Sequence, residues 1–258
     1  MPDSAPHAQD TVRAELLRAA ADTLARSAPA LPPEAASFMA QLYAGVPSAE
    51  LAEATPEAMA AATAGLWSLA SHRRVNEALV RVTRPGSSAG PRAVAEIVTD
   101  DMPFLVDSAL AALTKGGRVV RQLLHPVTPI QRDAQGRLLG WGDGSDSMKL
   151  SGVKLGGAKR ESWMRIEFTG SARRQGSDDG PALEAALRSV MDDVRAATTD
   201  YNAMLALLRC AEQEVAANSA PDTGPAQAFL RWMADDNFVL LGHCRVAVGA
   251  QGALSHWR

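Results

Sequence analysis

The segment Ile97-Val-Thr-Asp-Asp-Met-Pro-Phe-Leu-Val-Asp-Ser108 decides how this chain folds. Its first half, read with Ala93 to Glu96, is a β-branched run that predicts a strand. Its second half opens a helix: Asp100 or Asp101 can cap it, Pro103 falls in its first turn, and Asp107 suits the positive helix end. Leu105, Ala109, Ala112 and Leu113 form one apolar stripe at helical spacing. Gly116-Gly117 closes the helix, because glycine takes positive φ at little cost.

Downstream, Arg118 to Ile130 predicts a second strand, and Asp133-Ala-Gln-Gly-Arg137 a hairpin-like turn leading into Leu138-Leu139. Gly140 to Gly157 is rich in Gly and Ser and predicts a mobile loop. Glu161 to Phe168 alternates, with Trp163 and Arg165 on one face and Met164, Ile166 and Phe168 on the other, which predicts a half-buried antiparallel strand. After the loop from Gly170 to Gly180, one long helix is expected from Pro181 to about Ala217. A shorter helix follows from Ala226 to Asp235, then a strand from Asn237 to Val248.

Upstream, Leu79 to Thr83 alternates as a strand and stops in the loop Arg84-Pro-Gly-Ser-Ser-Ala-Gly-Pro91. Before it the chain reads as helices. Val12, Leu16, Ala19, Ala20 and Leu24 share a face, Glu34 to Tyr43 is amphipathic, and Ser48 is a plausible cap. Thr55-Pro-Glu-Ala58 supplies an N-cap, a proline and an early acid to a helix running through Leu66, Trp67, Leu69 and Ala70. The expected organisation is a helical segment over 1–78, an α/β domain over 79–218, and a helix plus strand over 219–258 that completes that domain or starts the next one. The middle order of strand, helix, strand, strand, helix, with a strand available after residue 236, fits a ferredoxin-like βαββαβ unit: an α+β fold of two layers with an antiparallel sheet.

Across 258 residues, 47% are hydrophobic and 21% charged, and 26 basic against 29 acidic side chains leave a net charge of −3. These are globular values with no electrostatic surplus for a nucleic acid. Cys210 and Cys244 form no C-x-x-C pair and read as reduced, buried fillers. No signal peptide and no apolar run of membrane-spanning length is present, so the expectation is a cytoplasmic protein. The glycines of Gly152-Val-Lys-Leu-Gly-Gly-Ala-Lys159 sit between strands and match no nucleotide-binding pattern.

In combination, Glu96 to Ser108, Leu124-His-Pro-Val127, Asp133 to Leu138 and Glu161 to Glu167 resemble the N-terminal, ACT-like region of the large bacterial NAD-dependent glutamate dehydrogenases. Leu42-Tyr-Ala-Gly-Val-Pro47, Leu66-Trp-Ser-Leu-Ala70 and Phe229 to Gly242 resemble its flanking pieces, so the likeness spans roughly residues 38 to 246. The resemblance implies a non-catalytic regulatory or oligomerisation region of an oxidoreductase, whose parent deaminates L-glutamate to 2-oxoglutarate and ammonia with NAD. It implies no cofactor in this segment, self-association and the parent's remaining domains as partners, and a chain that is a fragment or a truncated product. A freestanding amino-acid sensor and a structural spacer are the alternatives.

The resemblance also implies that a small amino-acid effector binds at Asp100, Asp101, Met102, Pro103 and Phe104, with helix amides taking its carboxylate and an acid its ammonium. Plain helix capping explains the same residues. His125, His72 and His243 have no visible catalytic partner. Lys149, Lys154, Lys159 and Arg160 read as a solvated basic loop. Trp163, Trp232 and Phe238 are expected as core or interface anchors.

Overall fold

The computed structural model describes residues 5–84, 92–115, 117–142, 148–149, 158–170, 180–218, 223–242, 246–248 and 254–257. Helices come first: α1 (Ala5–Ser27), α2 (Glu34–Leu42), the single-turn α3 (Ser48–Leu51) and α4 (Pro56–Ala70). α4 starts as its sequence requires. Thr55 is extended, its Oγ1 accepts from Ala58 N at 3.2 Å, and Pro56 holds the first helical position. Ser48 is not a cap; it is the first residue of α3, behind Pro47. Arg13 of α1 closes the end of α2, donating to the carbonyls of Val46 (2.9 Å), Ala44 (3.2 Å) and Tyr43. Carbonyls left without helical partners thus meet a cation.

The strands are β1 (Leu79–Thr83), β2 (Arg92–Asp100), β3 (Val119–Leu124), β4 (Val127–Arg132), β5 (Leu138–Gly142), β6 (Met148–Lys149) and β7 (Lys159–Thr169). Together they make one antiparallel sheet in the order β1-β2-β7-β4-β5-β6, with β3 also lying along β7. β3 and β4 are the halves of the strand expected over Arg118–Ile130. The break falls at His125-Pro126, since proline cannot donate to a ladder; its carbonyl accepts from Trp163 N at 3.1 Å instead. Between β2 and β3, α5 (Leu105–Lys115) ends at Gly117, whose φ is 73° and whose N–H reaches Thr114 O at 2.8 Å; Gly116 lies outside the described residues. Most of the expected loop over 140–157 does so too, but its first residues belong to β5 and bury Trp141.

Helices cover both faces of this sheet, one layer more than the ferredoxin-like pattern implies. Val98, Leu124, Ile130, Trp141 and Trp163 point to the N-terminal helices and share a core with Phe38, Met39, Leu66 and Trp67. On the other face Ile97, Met164, Ile166 and Phe168 are buried, as are Leu105, Ala109 and Leu113 of α5. Leu183, Leu187 and Met191 of α6 (Gly180–Thr198) add to that apolar set, and Glu184 of α6 accepts from Val82 N of β1 at 2.7 Å. Residues 161 to 164 are therefore all buried, so β7 is not the half-exposed strand its alternation suggests.

The chain divides into two compact units, Met1–Asp192 and Asp193–Arg258. The single helix expected to Ala217 is two, α6 and α7 (Tyr201–Ala216). Thr198 and Thr199 at the break turn their hydroxyls back onto the carbonyls of Val194 (2.8 Å) and Arg195 (2.7 Å), a competition that destabilises helix continuation. α8 (Thr223–Trp232) follows, tied to α7 by Arg231 on Glu212 at 2.7 Å. A π-helical turn, Met233–Asn237, stands where a strand is expected to begin. Asn237 Nδ2 donates to Trp232 O and Asp235 O, closing that turn on itself. Among the described residues the expected strand after residue 236 joins no strand of the main sheet; β8 (Val246–Val248) pairs with β9 (Leu254–Trp257) in a sheet of two. Cys210 is exposed, not a buried filler, because α7 turns its buried residue Met204 to another side. Trp163 is core as expected, whereas Trp232 and Phe238 are about half exposed.

Candidate functional site

Register places two charged rows on the face of the sheet covered by the N-terminal helices. Asp100 stands opposite Glu161, Val98 opposite Trp163, and Glu96 between Arg81 and Arg165. Like charges facing each other across strands repel, so Asp100 and Glu161 need a cation between them. Arg73, just after α4, supplies it: Nη2 lies 2.6 Å from Asp100 Oδ1 and 2.8 Å from Glu161 Oε1. Arg132 at the end of β4 holds both Glu161 oxygens, Nε to Oε1 at 2.7 Å and Nη2 to Oε2 at 2.8 Å. Trp163 Nε1 adds a bond to Oε2 at 3.1 Å.

With Arg73 Nε on Oε1 at 3.2 Å, the buried Glu161 carboxylate accepts five hydrogen bonds. Burial alone would raise its pKa, but the bonds and charge of Arg132, then of Arg73, outweigh it and hold it below the ordinary value. For Arg73 burial disfavours the charge, and Asp100 with Glu161 overcomes it, so its pKa is raised.

The turn expected at Asp133–Arg137 builds the wall beside these groups. Asp133 Oδ1 accepts from Gln135 N (2.9 Å) and Arg137 N (2.8 Å), and Gly136 has φ of 92°. Gly136 O receives Arg73 N at 2.9 Å and Arg132 Nη1 at 3.0 Å. A Cβ there would stand 2.5 Å from Arg73 O, so both φ and space demand glycine. Leu138 N to Ser71 O at 2.9 Å fastens the same segments. Between them opens a cavity of about 740 Å³, with Arg73, Arg132, Asp100 and Glu161 among its lining and His72, Arg74 and Lys159 exposed at its mouth.

The second row is structural. Arg81 holds Glu96 (Nε to Oε2, 2.8 Å) and Gly65 O of α4 (2.6 Å), and a Cβ on Gly65 would sit 3.1 Å from Glu96 Oε1. Arg165 pairs with Glu167 at 2.7 Å. Nearby, burial pushes the Tyr43 hydroxyl up to about 12, against the pull of Arg165 and with that of Glu167.

On the opposite face, Ser162 Oγ lies 2.9 Å from Asp101 Oδ1 and 3.1 Å from His125 Nε2. A carboxylate only accepts, so Ser162 donates to Asp101 and His125 donates to Ser162. The serine proton thus points to Asp101 and away from His125, and the three groups form no serine–histidine relay. Burial holds the His125 pKa down, with Asp101 opposing.

The two aspartates of the expected effector site face opposite sides of the sheet. Asp100 faces the cavity. Asp101 lies on the other face, with Arg160 at 3.3 Å. Met102 is half-buried, while Pro103 and Phe104 are exposed. α5 begins only at Leu105, so neither aspartate sits at its cap position; that place belongs to Phe104, with φ of 68°. Of the basic set, Lys159 reaches the cavity and Arg160 pairs with Asp101, while Lys154 lies outside the described residues, as do His243 and Cys244. Sequence reading passed over Arg73, Arg132 and Glu161. The available signal was an acid in alternation with Trp163, on the face that tryptophan buries. Among the described residues no group of three His, Cys, Asp or Glu could hold a metal, and no helix is long and apolar enough to cross a membrane.

Residues 38–179 match the family described as glutamate dehydrogenase, ACT1 domain. The chain is similar to NAD-specific glutamate dehydrogenases. With that of Mycobacterium tuberculosis it shares 32% identity over 71% of this chain, and with that of Halomonas elongata 28% over 81%. With that of Pseudomonas aeruginosa the figure is 26% over 82%. It spans only 11–13% of the length of these relatives.

Proposed function

Since this chain belongs to the glutamate dehydrogenase ACT1-domain family, we propose that it is a non-catalytic regulatory and assembly region of an NAD-dependent glutamate dehydrogenase. The observation that carries this reading is how its buried acids and bases are used. Glu161 is saturated by two arginines and a tryptophan, and Ser162 spends its proton on Asp101. Catalysis needs a group free to exchange a proton with a substrate, and these groups are bonded to one another instead. NAD and the deamination of glutamate then belong to the parent enzyme. The fold enters the proposal as a ferredoxin-like variant. β1, β2, β7 and β3 stand in the spatial order of such a sheet, with the edge strand arriving from upstream instead of downstream.

The assembly role is supported by Phe229, Trp232, Phe238, Val239 and Leu241, which stand exposed in the second unit, as surfaces that pair with another copy do. An amino-acid effector at Asp100–Phe104 would be held by the amides of Met102 and Phe104, since Asp101 N donates to Arg160 O, Pro103 has no N–H and the two aspartates are engaged. The test is the whole dehydrogenase with Glu161→Gln. A changed assembly mass or a changed saturation curve for glutamate is expected. An enzyme identical to the parent in both would overturn the regulatory and assembly role.

A further inference from the structure

We infer that the cavity between the Ser71–Glu77 segment and the Asp133–Arg137 turn is a binding site for a small multivalent oxyanion, a dicarboxylate or a phosphate. Its charges do not cancel in place. Four full cations line it, Arg73, Arg74, Arg132 and Lys159, against the carboxylates of Asp100, Asp133 and Glu161. Those carboxylates are engaged from within: Glu161 by five donors, Asp133 Oδ1 by its own turn, Asp100 Oδ1 by Arg73. The side chains of Arg74 and Lys159 have no partner among the described residues, and they flank the mouth with His72.

Arg132 supplies the fixed part of the site. Its side chain is 11% exposed, and its guanidinium is locked by the two Glu161 oxygens and Gly136 O. Those bonds use three of the five N–H donors of an arginine, leaving two on a group that lines the cavity and cannot swing away. A planar fork held in place suits a carboxylate or phosphate edge, while mobile lysine and arginine heads close on the remaining oxygens. About 740 Å³ is room for a small ligand of this class. The floor is net neutral, so the anion adds no repulsion to a satisfied network.

The site stands apart from the regulatory reading and can fail while that reading holds. Calorimetric titration of the chain with malonate and with inorganic phosphate, at low ionic strength, tests it. Saturable heat with either anion is expected, and the tighter of the two names the ligand class. The double variant Arg74→Ala, Lys159→Ala changes only exposed side chains. It should melt as the parent does and bind at least tenfold more weakly, whereas Arg209→Ala in the second unit should bind unchanged. No heat with either anion, or binding that the double variant leaves intact, would overturn the inference.

Discussion

At the residue scale the first unit is organised around Glu161. Replacing it with glutamine keeps the shape but leaves Arg132 without its countercharge and Arg73 with Asp100 alone, in a buried place. Removing one partner of such a cluster costs about 3–5 kcal/mol, to be read as a lower urea midpoint with unchanged slope. Acid should act in the same direction. The Glu161 pKa is depressed on folding, so its contribution is complete above the ordinary carboxylate value of 4.5 and is lost as pH falls through the lower folded value. Urea midpoints recorded between pH 6 and 3 should fall for the parent and stay flatter for Glu161→Gln. Phe104 tests the opposite sign. Its φ of 68° is strained for a side chain that is 42% exposed, so Phe104→Gly should cost nothing or stabilise by about 1 kcal/mol. The sequence disclosed Gly136 and Asp133, because turn chemistry is local. It did not disclose Arg73 or Arg132, whose partner Glu161 lies 88 and 29 residues away in the chain.

At the element scale β7 is the spine, pairing with β2 on one side and with β3 and β4 on the other. Its Trp163 meets Phe38 at 4.8 Å and Trp67 at 5.8 Å between ring centroids, and Trp141 stands 6.1 Å from Phe38. Aromatic pairs at such spacing add to the burial they already bring. Phe38→Ala should therefore cost about 3–5 kcal/mol, and chemical denaturation followed by tryptophan emission should show helices and sheet losing structure in one transition. Two separate transitions in the far-ultraviolet and tryptophan signals of the first unit would contradict a shared core. Helix starts such as Thr55-Pro56 and the hairpin turn were legible because capping and turn residues act over a few positions. The burial of both faces of β7 was not. Alternation reports that a strand has two faces, and whether a second helical layer covers one of them depends on residues far upstream in the chain.

At the scale of the whole molecule, the chain is a helix-covered antiparallel sheet followed by a smaller helical unit that ends in a two-stranded sheet. The family was readable from short motifs kept in order, whereas the place of the final strand was not, since nothing local says which sheet a strand joins. Static light scattering should give a mass above 27.2 kDa at high concentration if the exposed aromatic surface of the second unit pairs copies; a monomer throughout would remove the self-association proposal. As a proposed regulatory and assembly region, the chain is expected to bind and assemble but to make no bonds. The most direct test of this claim is NADH formation, followed at its absorbance with the pure chain, saturating L-glutamate and NAD. The expected trace is that of the protein-free blank at every protein concentration. A rate that rises in proportion to the chain added would contradict the claim.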